Sequence, residues 1–214
     1  PSLEELCAGK KDIVIISSDH TRPVPSRVTM PILLHHIHSA APEARVRILV
    51  ATGMHRPSTH EELVNKYGEE IVANEEIVMH VATDDSMMKK IGTLPSGGEC
   101  IINKIAADCD LLLAEGFIEP HFFAGFSGSR KSVLPGIASY KTIMYNHNGQ
   151  FVNDSHSRAG NLCHNHVSED MFAAAEMAHL AFVLNVVLNG KHEVIGSFAG
   201  DIHKAHEAGC EFVK

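Results

Sequence analysis

Asp12-Ile13-Val14-Ile15-Ile16-Ser17 is an unbroken run of branched aliphatics that starts at a carboxylate and ends at a hydroxyl. A strand with one wet face alternates apolar and polar residues. A strand that is apolar at every position has both faces covered, as in the interior of a parallel sheet flanked by helices. The residues that follow fit this reading. Residues 18–25 are polar and proline-bearing, and Ser26 is placed to cap a helix running to about residue 39. The same unit recurs downstream. Residues 46–51 form a second buried strand, 52–58 a polar loop, and Thr59 caps a helix over 60–66 with Glu61 and Glu62 in its first turn.

Further strands are expected at 76–82 and 111–115. A connection spans 84–96, and a short strand with a helix spans 99–107. A helix lies near 139–146, and an irregular polar stretch covers 150–165. Another helix, capped by Ser168, covers 168–178. Residues 181–188 and 193–198 read as a hairpin across Asn189-Gly190, and Asp201 caps a last helix over 202–213. Strands alternating with helices give an α/β fold: a mainly parallel, mixed sheet with helices on both faces, Rossmann-like, in one domain over residues 1–214.

The composition excludes several classes of function. Of 214 residues, 44% are hydrophobic and 21% charged, as in an ordinary globular chain. The net charge of -8 argues against a nucleic-acid partner, which needs clustered Lys and Arg. The longest apolar runs, such as 180–188, fall well short of the ~20 residues needed to span a bilayer, so no membrane partner is expected. Five scattered cysteines without a CxxC spacing fit reduced thiols in the cytoplasm. Of the 16 histidines, His35, His36 and His38 crowd one helix and read as packing or solvent-facing residues.

Three loops at the carboxyl ends of strands carry the candidate chemistry, because ligands of open α/β sheets bind at that edge. They are Ser18-Asp19-His20-Thr21-Arg22-Pro23-Val24-Pro25, Thr52-Gly53-Met54-His55-Arg56-Pro57 and Glu115-Gly116-Phe117-Ile118-Glu119-Pro120-His121. Asp19 and Arg22, just before a helix N-terminus, suit either an anion site or a structural salt bridge. The third loop runs on through Phe122-Phe123-Ala124-Gly125-Phe126-Ser127-Gly128-Ser129-Arg130-Lys131. There Gly125 and Gly128 allow close backbone approach to a ligand, and Ser127 and Ser129 add donors. Lys131 offers a cation or a nucleophile, and the phenylalanines read as packing. The spacing is not that of a P-loop, and no HExxH motif is present. His147 reads as a helix C-terminal residue if taken alone.

Taken together, Asp19-His20-Thr21-Arg22-Pro23, Gly53-Met54-His55-Arg56, Pro120 to Gly128, Lys131 and His147 resemble the N-terminal domain of the lactate racemase family, in order and spacing, along nearly the whole chain. The resemblance implies a nickel-pincer nucleotide cofactor, a mononucleotide derived from nicotinic acid with a thioamide and a thiocarboxylate. Lys131 would carry it covalently and His147 would complete the nickel coordination. It implies His55 and His121 as an acid/base pair. Asp19, Ser127 and Gly128 are expected on the cofactor side and Arg22 on the substrate. The implied reaction is racemisation or epimerisation of a small 2-hydroxy acid by proton-coupled hydride transfer, through a transient 2-keto acid. Cofactor maturation proteins are implied as partners. The family's closing C-terminal domain is not in this sequence, so the fragment itself is expected to be inactive. Two other readings remain open at this point: a non-catalytic nucleotide-binding module of the same fold, and a metal hydrolase built on the histidine-rich loops.

Overall fold

The computed structural model describes residues 1–128 and 130–214. In chain order the elements are α1 (Leu3–Cys7), β1 (Asp12–Ser18), α2 (Ser26–Ala40), β2 (Arg45–Ala51), α3 (His60–Tyr67), α4 (Glu69–Asn74), β3 (Glu76–Met79), β4 (Met88–Thr93), β5 (Glu99–Asn103), α5 (Lys104–Ala107), β6 (Leu111–Phe117), β7 (Pro120–His121), β8 (Gly125–Phe126), α6 (Arg130–Val133), α7 (Tyr140–Asn146), α8 (Gly149–Val152), α9 (His166–Met177), β9 (Leu180–Leu188), β10 (Val194–Gly200) and α10 (Ile202–Val213).

Six strands form one sheet in the order β10-β9-β6-β1-β2-β3. Ile13 pairs with Val46 on one side and with Leu111 on the other, both in parallel register. Only β10 runs antiparallel, against β9, so the sheet is mixed as expected. Within this sheet the chain order is 6-5-4-1-2-3, the doubly wound order seen from its other edge.

The apolar run that opens the chain is buried throughout Ile13–Ile16, and its side chains divide by parity. Ile13 and Ile15 face Met30, Leu33, Leu34 and Ile37, the core-facing stripe of α2. Val14 and Ile16 face the opposite layer, where Met171, Ala174 and Ala175 of α9 and Leu94, Cys100 and Ile102 around the β4–β5 hairpin pack. Helices cover both faces. Among the described residues no helix is long and apolar enough to cross a membrane.

Several local readings are corrected. Ser26 does not cap α2: Pro25 holds the cap position without a side-chain bond, and the Ser26 hydroxyl turns to Glu115. Asn165, not Ser168, caps α9. The strand expected over 76–82 ends at Met79, and β6 continues past its expected end at Glu115 to Phe117, so Gly116 and Phe117 lie in the sheet rather than in a loop. The helices α1, with its Ser2–Glu5 capping box, and α4 were not expected, nor was the strand β4.

Candidate active site

β1 and β6 lie side by side at the centre of the sheet, and the chain leaves them toward opposite edges. Such a reversal opens a crevice at the strands' carboxyl ends. A cavity of ≈ 350 Å³ occupies it. Asp19, Arg22, His55, His121, Ser127, Gly128, Lys131 and His147 all line this one cavity.

His55 is carried by the turn after β2, where its N–H donates to the Thr52 carbonyl at 2.9 Å. Gly53 there has a left-handed φ of 54°, which favours glycine. His55 Nδ1 lies 2.7 Å from Asp19 Oδ2. The other oxygen of Asp19 accepts from the Thr21 N–H at 3.1 Å and from its hydroxyl at 2.6 Å. Asp19 is therefore engaged on both sides by the protein, and no Asp19–Arg22 salt bridge forms among the described residues. A carboxylate at Nδ1 holds the proton there and leaves the Nε2 lone pair of His55 free to accept one.

His121 has the opposite arrangement. Its Nδ1 accepts the Ala124 N–H at 3.2 Å, so in the neutral ring the proton sits on Nε2. Phe122, the most exposed of the large hydrophobics at 76%, stacks on the His121 ring with centroids 4.7 Å apart and planes at 12°. Phe123 meets the same ring edge-on at 4.6 Å and His147 edge-on at 5.2 Å, while Lys131 Nζ lies 5.6 Å from its centroid. The sequence reading of both rings as packing therefore needs correction: Phe123 touches all three functional candidates, and Phe122 stacks on one of them. Phe126 is core, as expected.

Burial and crowded positive charge set the proton states. Burial, then Lys131 and His147, push His121 down to about 3. Burial, then Lys131, push His147 down to about 4. Burial, then Arg130 and Arg22, bring Lys131 down to about 7. At neutral pH the cavity thus presents two neutral imidazoles and an amine that is partly unprotonated. His147 sits at the C-terminus of α7, and its Nδ1 is buried with no hydrogen-bond partner among the described residues.

The supporting residues are ones the sequence did not single out. Glu115 is fully buried and accepts the hydroxyls of Ser17 (2.6 Å), Ser26 and Thr29. Arg130, also buried, donates to the carbonyls of Ala124 and Phe126 at 3.0 Å and of Ser127 at 3.1 Å, and its guanidinium lies 4.7 Å from the Phe172 ring centroid. It thereby ties down the loop that bears His121. The Ser127 hydroxyl donates to the Phe117 carbonyl at 2.8 Å. A Cβ on Gly125 would lie 2.3 Å from the Asn161 carbonyl oxygen, and one on Gly128 2.6 Å from the His206 ring, so these glycines admit protein neighbours first. Ser129 lies outside the described residues. The only sequence signal for Glu115 was a carboxylate at the end of an apolar strand; Arg130 had none, since its partners come together only in the fold.

Residues 1–160 match the family model described as the lactate racemase N-terminal domain. The chain belongs to this family. It is 70% identical over 212 residues to a lactate racemase of Lactiplantibacillus plantarum and 54% identical over 211 residues to one of Thermoanaerobacterium thermosaccharolyticum, in each case covering 99% of this chain and 50% of the relative. The chain thus spans about half the length of the curated relatives it matches. The lactate racemase apoprotein structure from T. thermosaccharolyticum superposes with a TM-score of 0.98 over 99% of this chain and 51% of that one. A Thermotoga maritima structure, at 23% identity and a TM-score of 0.82, shares the fold.

Proposed function

We propose that this chain is the cofactor-carrying part of a racemase or epimerase acting on a small 2-hydroxy acid with a nickel-pincer nucleotide. What supports the reading above all is that Lys131, His147, His55 and His121 line one small cavity. The residues fit such a group. An amine lowered to about 7 is an available nucleophile for covalent attachment. An imidazole with a buried, unpartnered nitrogen and little affinity for protons suits a metal. The described residues contain no group of three or more metal-binding side chains, so the metal's remaining donors would come from the cofactor itself. When bound, the cofactor supplies a hydride-accepting carbon beside a soft metal.

His55, held by Asp19, takes the hydroxyl proton at Nε2. His121 is the acid/base partner on the other side: its neutral Nε2–H donates a hydrogen bond to the substrate oxygen, and it delivers a proton to the mirror-image product only as a transient imidazolium, protonated from solvent as His55 returns the proton it took, so that both rings end neutral. Arg22, exposed on the rim and without a carboxylate partner among the described residues, holds the substrate carboxylate. Phe122 and Met54 help to keep water from the opening. Maturation proteins supply the cofactor, and the five free thiols fit a cytoplasmic setting. The test is the full-length protein produced with its maturation partners. The expected result is stoichiometric nickel and a mass increase on the Lys131 peptide. Fully active protein with an unmodified Lys131 would overturn the proposal.

A further inference from the structure

Arg130 and Lys131 are neighbours on α6, and their side chains part. Lys131 lines the cavity. Arg130 is 2% exposed and turns away from it, onto α9 and α10. Its partners among the described residues are neutral. Nη2 is shared by the carbonyls of Ala124 and Phe126 and, at 3.2 Å, the Ser168 hydroxyl. Nη1 reaches the Ser127 carbonyl and, at 2.8 Å, Nε2 of His206. A buried cation without a counter-ion is costly, and an apolar side chain of similar length would fill the same space without that cost. What the guanidinium adds is direction: one planar fork collects the backbone of the segment that joins His121 to Lys131.

His206 fixes the far side of that fork. Burial brings Arg130 down only to about 10, so it stays charged at neutral pH. Burial, then Arg130, push His206 down to about 3, so its ring is neutral. The lone pair of Nε2 then faces the guanidinium, and the ring hydrogen, on Nδ1, faces Cys210 Sγ at 3.6 Å. The ring packs directly against Gly128, where a Cβ would stand 2.6 Å from it. At the near end, the Ala124 carbonyl meets Arg130 while the Ala124 N–H donates to His121 Nδ1. A chain of contacts therefore runs from α10 through Arg130 to the His121 ring. Ser168, Phe172 and His206 all lie beyond residue 160, where the match to the family model ends.

We propose that Arg130 and His206 are positioning residues: Arg130 gathers the backbone of residues 124–127, His206 anchors Arg130 to α10, and together they set the stance of His121 and Lys131. The inference rests on the racemase reading for its effect on turnover, and on this geometry alone for its effect on the segment.

Two measurements on the full-length protein test it. In cofactor-free protein, amide hydrogen exchange of a peptide covering residues 121–128 is compared with that of β6. His206→Leu should speed the first about tenfold or more and leave β6 unchanged, and His206→Gln, which keeps an acceptor for the guanidinium, should restore it. In protein matured with its partners, His206→Leu should lower kcat for lactate racemisation about 10²-fold with KM little changed, again restored by His206→Gln. Arg130→Lys, which keeps the charge but loses the fork, should resemble His206→Leu in both measurements. Should the Arg130 variant fold poorly, the His206 pair decides. Equal acceleration in β6 would mark a merely structural role. That result, wild-type exchange and kcat in His206→Leu, or a loss in His206→Gln as large as in His206→Leu, overturns the proposal. A wild-type Lys131 without a mass increase would sink the racemase reading and leave the exchange result to decide the clamp.

Discussion

The proton state of Lys131 is the most exposed point of the functional reading. Its amine falls from the ordinary 10.5 to about 7 because burial removes water and because Arg130 and Arg22 add like charge. At pH 7 an amine of that kind is about half unprotonated, against roughly 3 in 10,000 for an ordinary lysine. Lower basicity also lowers intrinsic nucleophilicity, by analogy with the thiolate slope of ~0.4–0.5, so the net gain in reactivity is about 30- to 60-fold. Pulse acylation of the cofactor-free, full-length protein across pH 5.5–10, followed by mass spectrometry of the Lys131 peptide, measures the midpoint. The same peptide in urea-unfolded protein is the reference. The expected native midpoint is near 7, and Arg22→Met moves it upward by removing a like charge. A native midpoint above about 9, or a downward move in that variant, would refute the reasoning.

Two further outcomes are expected. Asp19→Asn removes the carboxylate that fixes the His55 proton at Nδ1; turnover of the matured protein should fall by about 10²- to 10⁴-fold while the Lys131 mass increase persists, and near-normal turnover would remove Asp19 from this role. His80 and His206, both buried, are pushed below the ordinary 6.5, to about 4 and about 3, chiefly by burial. The unfolded chain therefore binds more protons below pH 6.5, and stability is lost as pH falls from there toward the folded-state values; between pH 7.5 and 5.5 these two rings alone remove roughly 2–3 kcal/mol in urea unfolding, with the less deeply buried His121 and His147 adding to the loss in the same direction, whereas an unchanged free energy would contradict burial of neutral rings.

The sheet was legible because burial on both faces leaves a plain mark: Ile13–Ile16 and the run in β6 admit no polar residue before the strand's last turn. The loops that bear Asp19, His55 and His121 were legible as polar punctuation at strand ends. Cap assignment failed at Ser26 and Ser168 for one shared reason. Each hydroxyl is drawn to a distant buried charge, Glu115 for Ser26 and Arg130 for Ser168, separated by 89 and 38 residues respectively. Local propensity carries no trace of such partners. β4 escaped because its register shifts between Lys90 and Gly92, which breaks the alternation that marks a strand. The partnership of His55 with Asp19, 36 residues apart, likewise exists only once β1 and β2 are paired.

The hydroxyl cluster around Glu115 has a consequence for how such a crevice can diversify. Ser17, and Ser26 with Thr29, sit on either side of the segment bearing Asp19 and Arg22, and all three grip one carboxylate. Alcohol donors do not ionise near neutrality, and this deep in the fold mobile ions screen little. The segment is thus moored at both ends by a contact that ambient salt hardly reaches, and residues between the moorings could be exchanged to suit a different acid without loosening the frame that presents them.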